Sequence, residues 1–201
     1  NLYQAIKKEN KISIYSKKII KISIILIIVG ALFTFIDLSI SDNDFNFSKK
    51  ILVSFFHSVN YRSASFRTIK PTQLGNFGTL TGMILMVIGG GSLSIAGGIK
   101  TSTFYVLIKD VISHLKGLKH VITSKKYIVP RVLSRSAKFI FLTYLLVFLV
   151  SFTILTITES SSSFSFKELG YEVISALSTV GYSLNITSRL SGIGKIVLIT
   201  D

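Results

Sequence analysis

The chain has 201 residues, 49% of them hydrophobic, with a mean hydropathy of +0.60 and a formal net charge of +14. It contains no cysteine, which excludes a disulfide framework and any thiolate-held metal, and His57, His114 and His120 stand at no metal-binding spacing. This is the composition of a membrane protein with a basic surface.

In chain order, a lysine-rich start (Lys7, Lys8, Lys11, Lys17, Lys18, Lys21) leads into "IIKISIILIIVGALFTFI", Ile19 to Ile36. That run is close to the ~20 residues a transmembrane helix needs, and Lys21 can snorkel from its inner end. The polar connection "DLSISDNDFNF" follows. "SKKILVSFFHSVN", Ser48 to Asn60, is helical in pattern but too short to cross a bilayer at ~1.5 Å per residue. "YRSASFRTIKP" after it is too polar to face lipid. An apolar segment from Leu74 to Ile112 is then broken by "IGGGSLSIAGGIKTST", Ile88 to Thr103. Three consecutive glycines weaken a helix by roughly 1 kcal/mol each relative to alanine. Amides freed within lipid must be received by protein or by a water-filled cavity.

The order then recurs. "FIFLTYLLVFLVSFTILTI", Phe139 to Ile157, is a full span, and "TESSSSFSF" is a polar connection. "FKELGYEVISALS", Phe166 to Ser178, is a second short helix, "TVGYSLNITSRLS" a second polar strip, and "GIGKIVLIT" the start of a further span. Span, half-length helix, polar strip, span is therefore a repeated unit, returning after roughly 115 residues. The expected fold is an all-α integral membrane protein of tandem span–pore-helix–span repeats with re-entrant loops. Residues 1–130 form one repeat, with an interrupting loop at 88–103 and a basic loop at 109–131. Residues 131–201 form a second, cut short in its last span. Asn1 is not a methionine and no cleavable leader opens the chain, so it reads as an internal piece of a longer protein.

Charge distribution supplies the orientation. Lys109, Lys116, Lys119, Lys125, Lys126, Arg131, Arg135 and Lys138 gather in one connection against Asp110. Asp37, Asp42, Asp44, Glu159 and Glu168 lie in the other two. Basic and acid-containing connections alternate across the spans, which places the N-terminus and the basic loop on the cytoplasmic side of a multi-pass membrane protein. Nucleic-acid binding is the weaker reading of the same charge.

A short helix followed by a polar strip has the form of a pore loop. Thr179, Val180 and Gly181 can present successive carbonyls that replace the hydration shell of a cation, with Glu172 supporting the strip. The plainer alternative is a turn between two amphipathic helices. "GGGSLSIAGGIKTST" also has the look of a phosphate-binding loop. However, Ile99 separates Gly98 from Lys100, and no parallel strand precedes it. An enzyme reading fails there.

With these motifs in hand, the chain resembles the Trk/Ktr/HKT superfamily of potassium transporters, the bacterial Ktr type most. "RSASF" (Arg62 to Phe66) is similar to the filter sequence of the family's third repeat, and "AGGIKTST" (Ala96 to Thr103) to its interrupted span. "STVGYS" (Ser178 to Ser183), with Gly194–Lys195 beyond it, is similar to the fourth repeat. The resemblance implies potassium uptake through one filter shared by four repeats, two of them missing here, with K+ as transported ion and no cofactor. Filter positions become Ser63, Ala64, Ser65, Thr179, Val180 and Gly181. The interrupting loop becomes a gate beneath the filter, comprising Gly89, Gly90, Gly91, Ser92, Ser94, Gly97, Gly98, Lys100 and Thr101. Its hydroxyls would face pore water, and Lys100 would oppose cation occupancy when the loop is closed. The alternative for this loop is a glycine-rich helix contact with a snorkelling lysine.

The resemblance also implies a homodimer in lipid, seated on a cytoplasmic nucleotide-binding regulatory subunit. The basic loop reads more economically as facing anionic lipid than as touching that subunit. One position departs from the pattern, since Ser65 stands where each strip is expected to carry glycine. Sodium or weakly selective cation transport is therefore the alternative within the same class, and a non-conducting membrane scaffold the alternative outside it. Arg62 and Arg67 flank the strip, and their expected partners are acids of the missing repeats.

Overall fold

A computed structural model describes residues 14–41, 45–62, 66, 68–69, 73–91, 94–118, 120–124, 127–160 and 162–201. Its helices are α1 (Ile14–Ile40), α2 (Phe47–Asn60), α3 (Asn76–Val87), α4 (Thr101–Leu115), α5 (Arg131–Thr158), α6 (Phe166–Leu177) and α7 (Gly192–Thr200). The expected helical fold is present, with one departure. Two short antiparallel strands, β1 (Ile122–Ser124) and β2 (Tyr127–Ile128), fold the basic connection into a hairpin. Val121 and Val129 anchor it by burying against Val106 and Ala137 of α4 and α5.

Two helices, α1 and α5, are long and apolar enough to cross a membrane. Both exceed the apolar runs that reveal them. α5 starts at Arg131 rather than Phe139, because Pro130 at its N-cap fixes φ at −54° and opens the helix ahead of the membrane-grade residues. α6 is started locally by a capping box: the Glu168 N–H donates to Ser165 Oγ at 3.3 Å, and the Ser165 N–H donates to Glu168 Oε2 at 2.8 Å.

Small residues allow the helices to approach. A Cβ at Gly30 of α1 would lie 2.5 Å from Leu85 of α3 and from Ser58 of α2, whose hydroxyl donates to the Ile27 carbonyl at 2.7 Å. At the other end of α1, buried Asp37 accepts the Gly75 N–H at 2.8 Å and so caps the first turn of α3. Gly78 packs so closely on that carboxylate that a Cβ there would overlap it. Buried Glu159, just past α5, accepts the Ser191 N–H at 2.8 Å at the start of α7. Hydrogen bonds from Ser191 hold its carboxyl below the usual carboxylate range.

The main core gathers Leu38 of α1, Val53 and Tyr61 beside α2, Leu85 and Met86 of α3, and Tyr171 of α6. Val180, Tyr182 and Leu184, from the polar strip after α6, complete it. The strip is thus wedged between the helices, with its apolar side chains inward.

Candidate functional site

The strip after α6 is the best-defined part of the site. α6 ends in a Schellman arrangement: the Thr179 N–H donates to Ala176 O at 2.8 Å and the Val180 N–H to Ser175 O at 3.0 Å. α4 ends the same way, with Gly117 N–H donating to His114 O and Leu118 N–H to Ser113 O, both at 2.9 Å. The difference is the residue at the left-handed position. In α4 it is Gly117 at φ +66°; in α6 it is Thr179 at φ +51°. A β-branched residue is costly in that region, by roughly 1–2 kcal/mol, so its surroundings must hold it there.

Gly181 is also left-handed, at φ +79°, while Ser178, Val180 and Tyr182 keep negative φ. The sign of φ therefore alternates from Ser178 to Tyr182, a run that is neither helix nor strand. Such a run can offer a dehydrated cation a row of oxygens.

Side chains fix the strip at both ends. Glu172 of α6, 4% exposed, accepts from Ser183 Oγ (2.5 Å), Leu184 N (3.0 Å) and Thr187 Oγ1 (2.7 Å). This is the supporting role expected of it. At the start, Ser178 Oγ shares a hydrogen bond of 2.9 Å with the Tyr144 hydroxyl of α5. Tyr182 reaches the segment that follows α2: its hydroxyl donates to the carbonyl of Phe66 at 2.6 Å, and its ring lies 5.0 Å from that of Tyr61. Ser63, Ala64 and Ser65 lie outside the described residues, but their flanks Arg62 and Phe66 are tied to the rest of the site.

The break between α3 and α4 is closed across its neck. α3 stops at Val87 and α4 starts at Thr101, and Ile88 and Ile99 form a parallel bridge between the two edges. The Ile99 N–H donates to Val87 O (2.8 Å), Gly89 N–H to Ile99 O (3.0 Å) and Thr101 N–H to Gly90 O (3.0 Å). Much of the backbone freed by the break is therefore received by the break itself. Gly98 turns the chain at φ +68°, and a Cβ at Gly89 would overlap the Gly97 carbonyl. Gly91 has open space around it, and Ser92 lies outside the described residues.

Three side chains complete the neck. Thr101 is fully buried and donates to the Gly89 or Gly90 carbonyl, at 2.9 and 3.2 Å. Its hydroxyl is used within the protein and does not face water as expected. Arg62, 8% exposed, donates through Nη2 to Gly89 O (2.9 Å) and Thr101 Oγ1 (2.7 Å), with Nε 3.4 Å from Ile88 O. Among the described residues the partners of Arg62 are thus the Thr101 hydroxyl and carbonyls just past the C-terminal end of α3, where the helix dipole is negative. Lys100 folds back, its ammonium donating to Ser94 O at 2.8 Å and to Ala96 O.

Loop and strip meet at Gly97. Its N–H donates to Thr179 Oγ1 at 3.0 Å, and a Cβ there would overlap the Ser178 carbonyl and the Thr179 hydroxyl. Thr179, Val180 and Gly181 are therefore brought together with Gly89, Gly90, Ser94, Gly97, Gly98, Lys100 and Thr101 in one place. Among the described residues, no three of His, Asp and Glu converge as a metal site.

Comparison with known proteins shows the family. Residues 8–200 match the family described as TrkH, cation transport protein, and the chain belongs to that family. It is 32% identical over 197 residues to the potassium/sodium uptake protein NtpJ of Enterococcus hirae, covering 94% of this chain and 43% of that protein. It is 34% identical over 148 residues to the Ktr system potassium uptake protein B of Vibrio alginolyticus, covering 74% of this chain and 32% of that one. The Ktr system potassium uptake protein D of Bacillus subtilis is 37% identical over 148 residues, with the same shares of 74% and 32%. The chain thus spans less than half the length of the curated relatives it matches.

Proposed function

We propose that this chain, a member of the TrkH cation transport family, contributes two of the pore repeats of a potassium uptake protein in the plasma membrane. In this reading α2 and α6 are pore helices. Residues 63–65 and Thr179, Val180 and Gly181 are two strands of a carbonyl-lined filter, and the loop at 88–103 is the gate beneath it. The observation that carries the reading is the hydrogen bond from Gly97 to Thr179. It sets the loop against the start of a strip whose φ values alternate, at the point where a dehydrated ion would leave the carbonyls.

Potassium moves down its electrochemical gradient. The carbonyls substitute for its water shell, and the loop, held by its neck and by Lys100, obstructs the exit. No catalytic step and no cofactor are involved. The complete protein works as a dimer with a cytoplasmic nucleotide-binding subunit acting on the gate, and the N-terminus and the hairpin lie on the cytoplasmic side. A potassium/sodium reading has its own support: Ser65 replaces the expected glycine, and one relative is named a potassium/sodium uptake protein.

The test is uptake by cells lacking their own potassium systems and expressing the complete transporter. Growth at limiting potassium is expected, and loss of growth on Gly181→Ser. Cysteines placed at Asn43 and Ser161 should react with an impermeant thiol reagent from outside, and one at Ser124 should not. External labelling at Ser124, or no uptake of either ion, overturns the reading.

A further inference from the structure

At the basic end of the molecule, α4, the hairpin and α5 enclose a cavity of about 290 Å³ with Val121 and Val129 in its floor. Its polar lining is Asp110, His114, His120, Arg131, Arg135 and Lys138. Asp110, the acid of this cavity, is already occupied. Lys138 Nζ lies 2.7 Å from Oδ2, His114 Nδ1 lies 3.4 Å from the same oxygen, and Ser134 donates to Oδ1 at 2.5 Å. Arg131 and Arg135 have no carboxylate partner among the described residues. Two permanent cations therefore face a polar, accessible cavity with no carboxylate among the described residues to neutralise them.

The face of α5 that carries these residues continues. Arg131, Arg135 and Lys138 follow the i, i+4, i+7 spacing of one helical face, and Leu142, Leu145 and Leu149 extend it, 60%, 40% and 51% exposed. Guanidinium forks at the helix end and bare leucines along the next turns are complementary to a phosphate group with a hydrocarbon tail.

We infer that this cavity is a binding site for the headgroup of one anionic phospholipid of the inner leaflet, its acyl chains lying on the leucine stripe of α5. The inference rests on the membrane topology proposed above, in which the hairpin end of α5 is cytoplasmic. A lipid headgroup is favoured over a soluble phosphate or an acidic protein segment because the arginines stand at the end of a membrane-grade helix, at the level where headgroups lie.

The complete transporter in neutral detergent, titrated with phosphatidylglycerol and read by native mass spectrometry, tests this without reference to ion flux. A failure of the transport reading leaves the measurement intact. Wild type should retain phosphatidylglycerol. Arg131→Gln/Arg135→Gln should bind it about 30-fold more weakly. Arg131→Lys/Arg135→Lys should lose much less, with thermal unfolding of all three forms compared to exclude misfolding. Equal retention by wild type and the glutamine pair overturns the site. So does equal competition by inorganic phosphate, which would make the ligand soluble. Loss of the cytoplasmic regulatory subunit with unchanged lipid retention would make the cavity a protein dock and overturn it as well.

Discussion

The N–H of Gly97 donates to the hydroxyl of Thr179 at 3.0 Å, across 82 residues of sequence. One residue sits in the loop that breaks a membrane-grade segment, the other at the strained left-handed end of α6. The contact works only because Gly97 has no Cβ to strike the Ser178 carbonyl. Loop position and strip geometry are therefore coupled through one hydrogen bond and one missing methyl.

Gly97→Ala should push the loop off the strip. Losing one hydrogen bond of about 1 kcal/mol shifts a closed–open equilibrium about fivefold, so basal potassium flux of the complete transporter should rise by that order. Deleting residues 92–96 should raise flux further and weaken control by the regulatory subunit. Rubidium uptake at matched surface expression measures both. Unchanged flux in the two variants would make the loop a packing contact.

Arg62 holds the neck through Ile88, Gly89 and Thr101. Hydrogen bonds from a charged donor contribute about 1.5–3 kcal/mol, and a lysine ammonium lacks the planar fork that reaches these acceptors together. Arg62→Lys should lower the thermal unfolding temperature of the purified transporter, and Arg62→Ala should lower it more. Wild-type unfolding in Arg62→Ala would show the clamp to be dispensable.

Asp37 caps α3 through the Gly75 N–H, with Gly78 packed on the same carboxylate. Asp37→Ala should cost about 1 kcal/mol, as loss of a helix cap does, and Asp37→Asn less because the acceptor survives. Gly78→Ala overpacks the site and should cost about 1–3 kcal/mol. The check is chemical denaturation followed by near-ultraviolet circular dichroism; Asn and Ala variants of equal stability would count against capping.

Gly181 adopts φ +79°, where a side chain costs roughly 1–2 kcal/mol, and under the proposed function Ser65 is its counterpart in a second filter strip. Gly181→Ser should therefore disturb the carbonyl row and lower the potassium-to-sodium uptake ratio. Ser65→Gly should raise it. Since about 1.4 kcal/mol is a tenfold ratio, competing uptake of the two ions resolves changes of this size. Identical ratios for Ser65 and its glycine variant would show that serine is tolerated there.

The order span, short helix, polar strip, broken span was legible in the sequence because it is written in local quantities. Apolar run length marks α1 and α5, helical apolar patterning marks the short helices, and glycines mark the break. The same locality explains what was misplaced. The start of α5 is set by Pro130 and not by hydropathy, and the hairpin was hidden because its strands are only three and two residues long. The contacts that make a site are of another kind. Arg62 to Gly89, Tyr182 to Phe66 and Gly97 to Thr179 join residues 27, 116 and 82 positions apart. Each depends on how two helices stack, which no period or spacing encodes. Sequence alone determined that a lysine, an arginine and several hydroxyls would stand in an apolar setting. Only the tertiary structure decided their partners, because buried donors take whichever carbonyls the packing of the helices brings within reach.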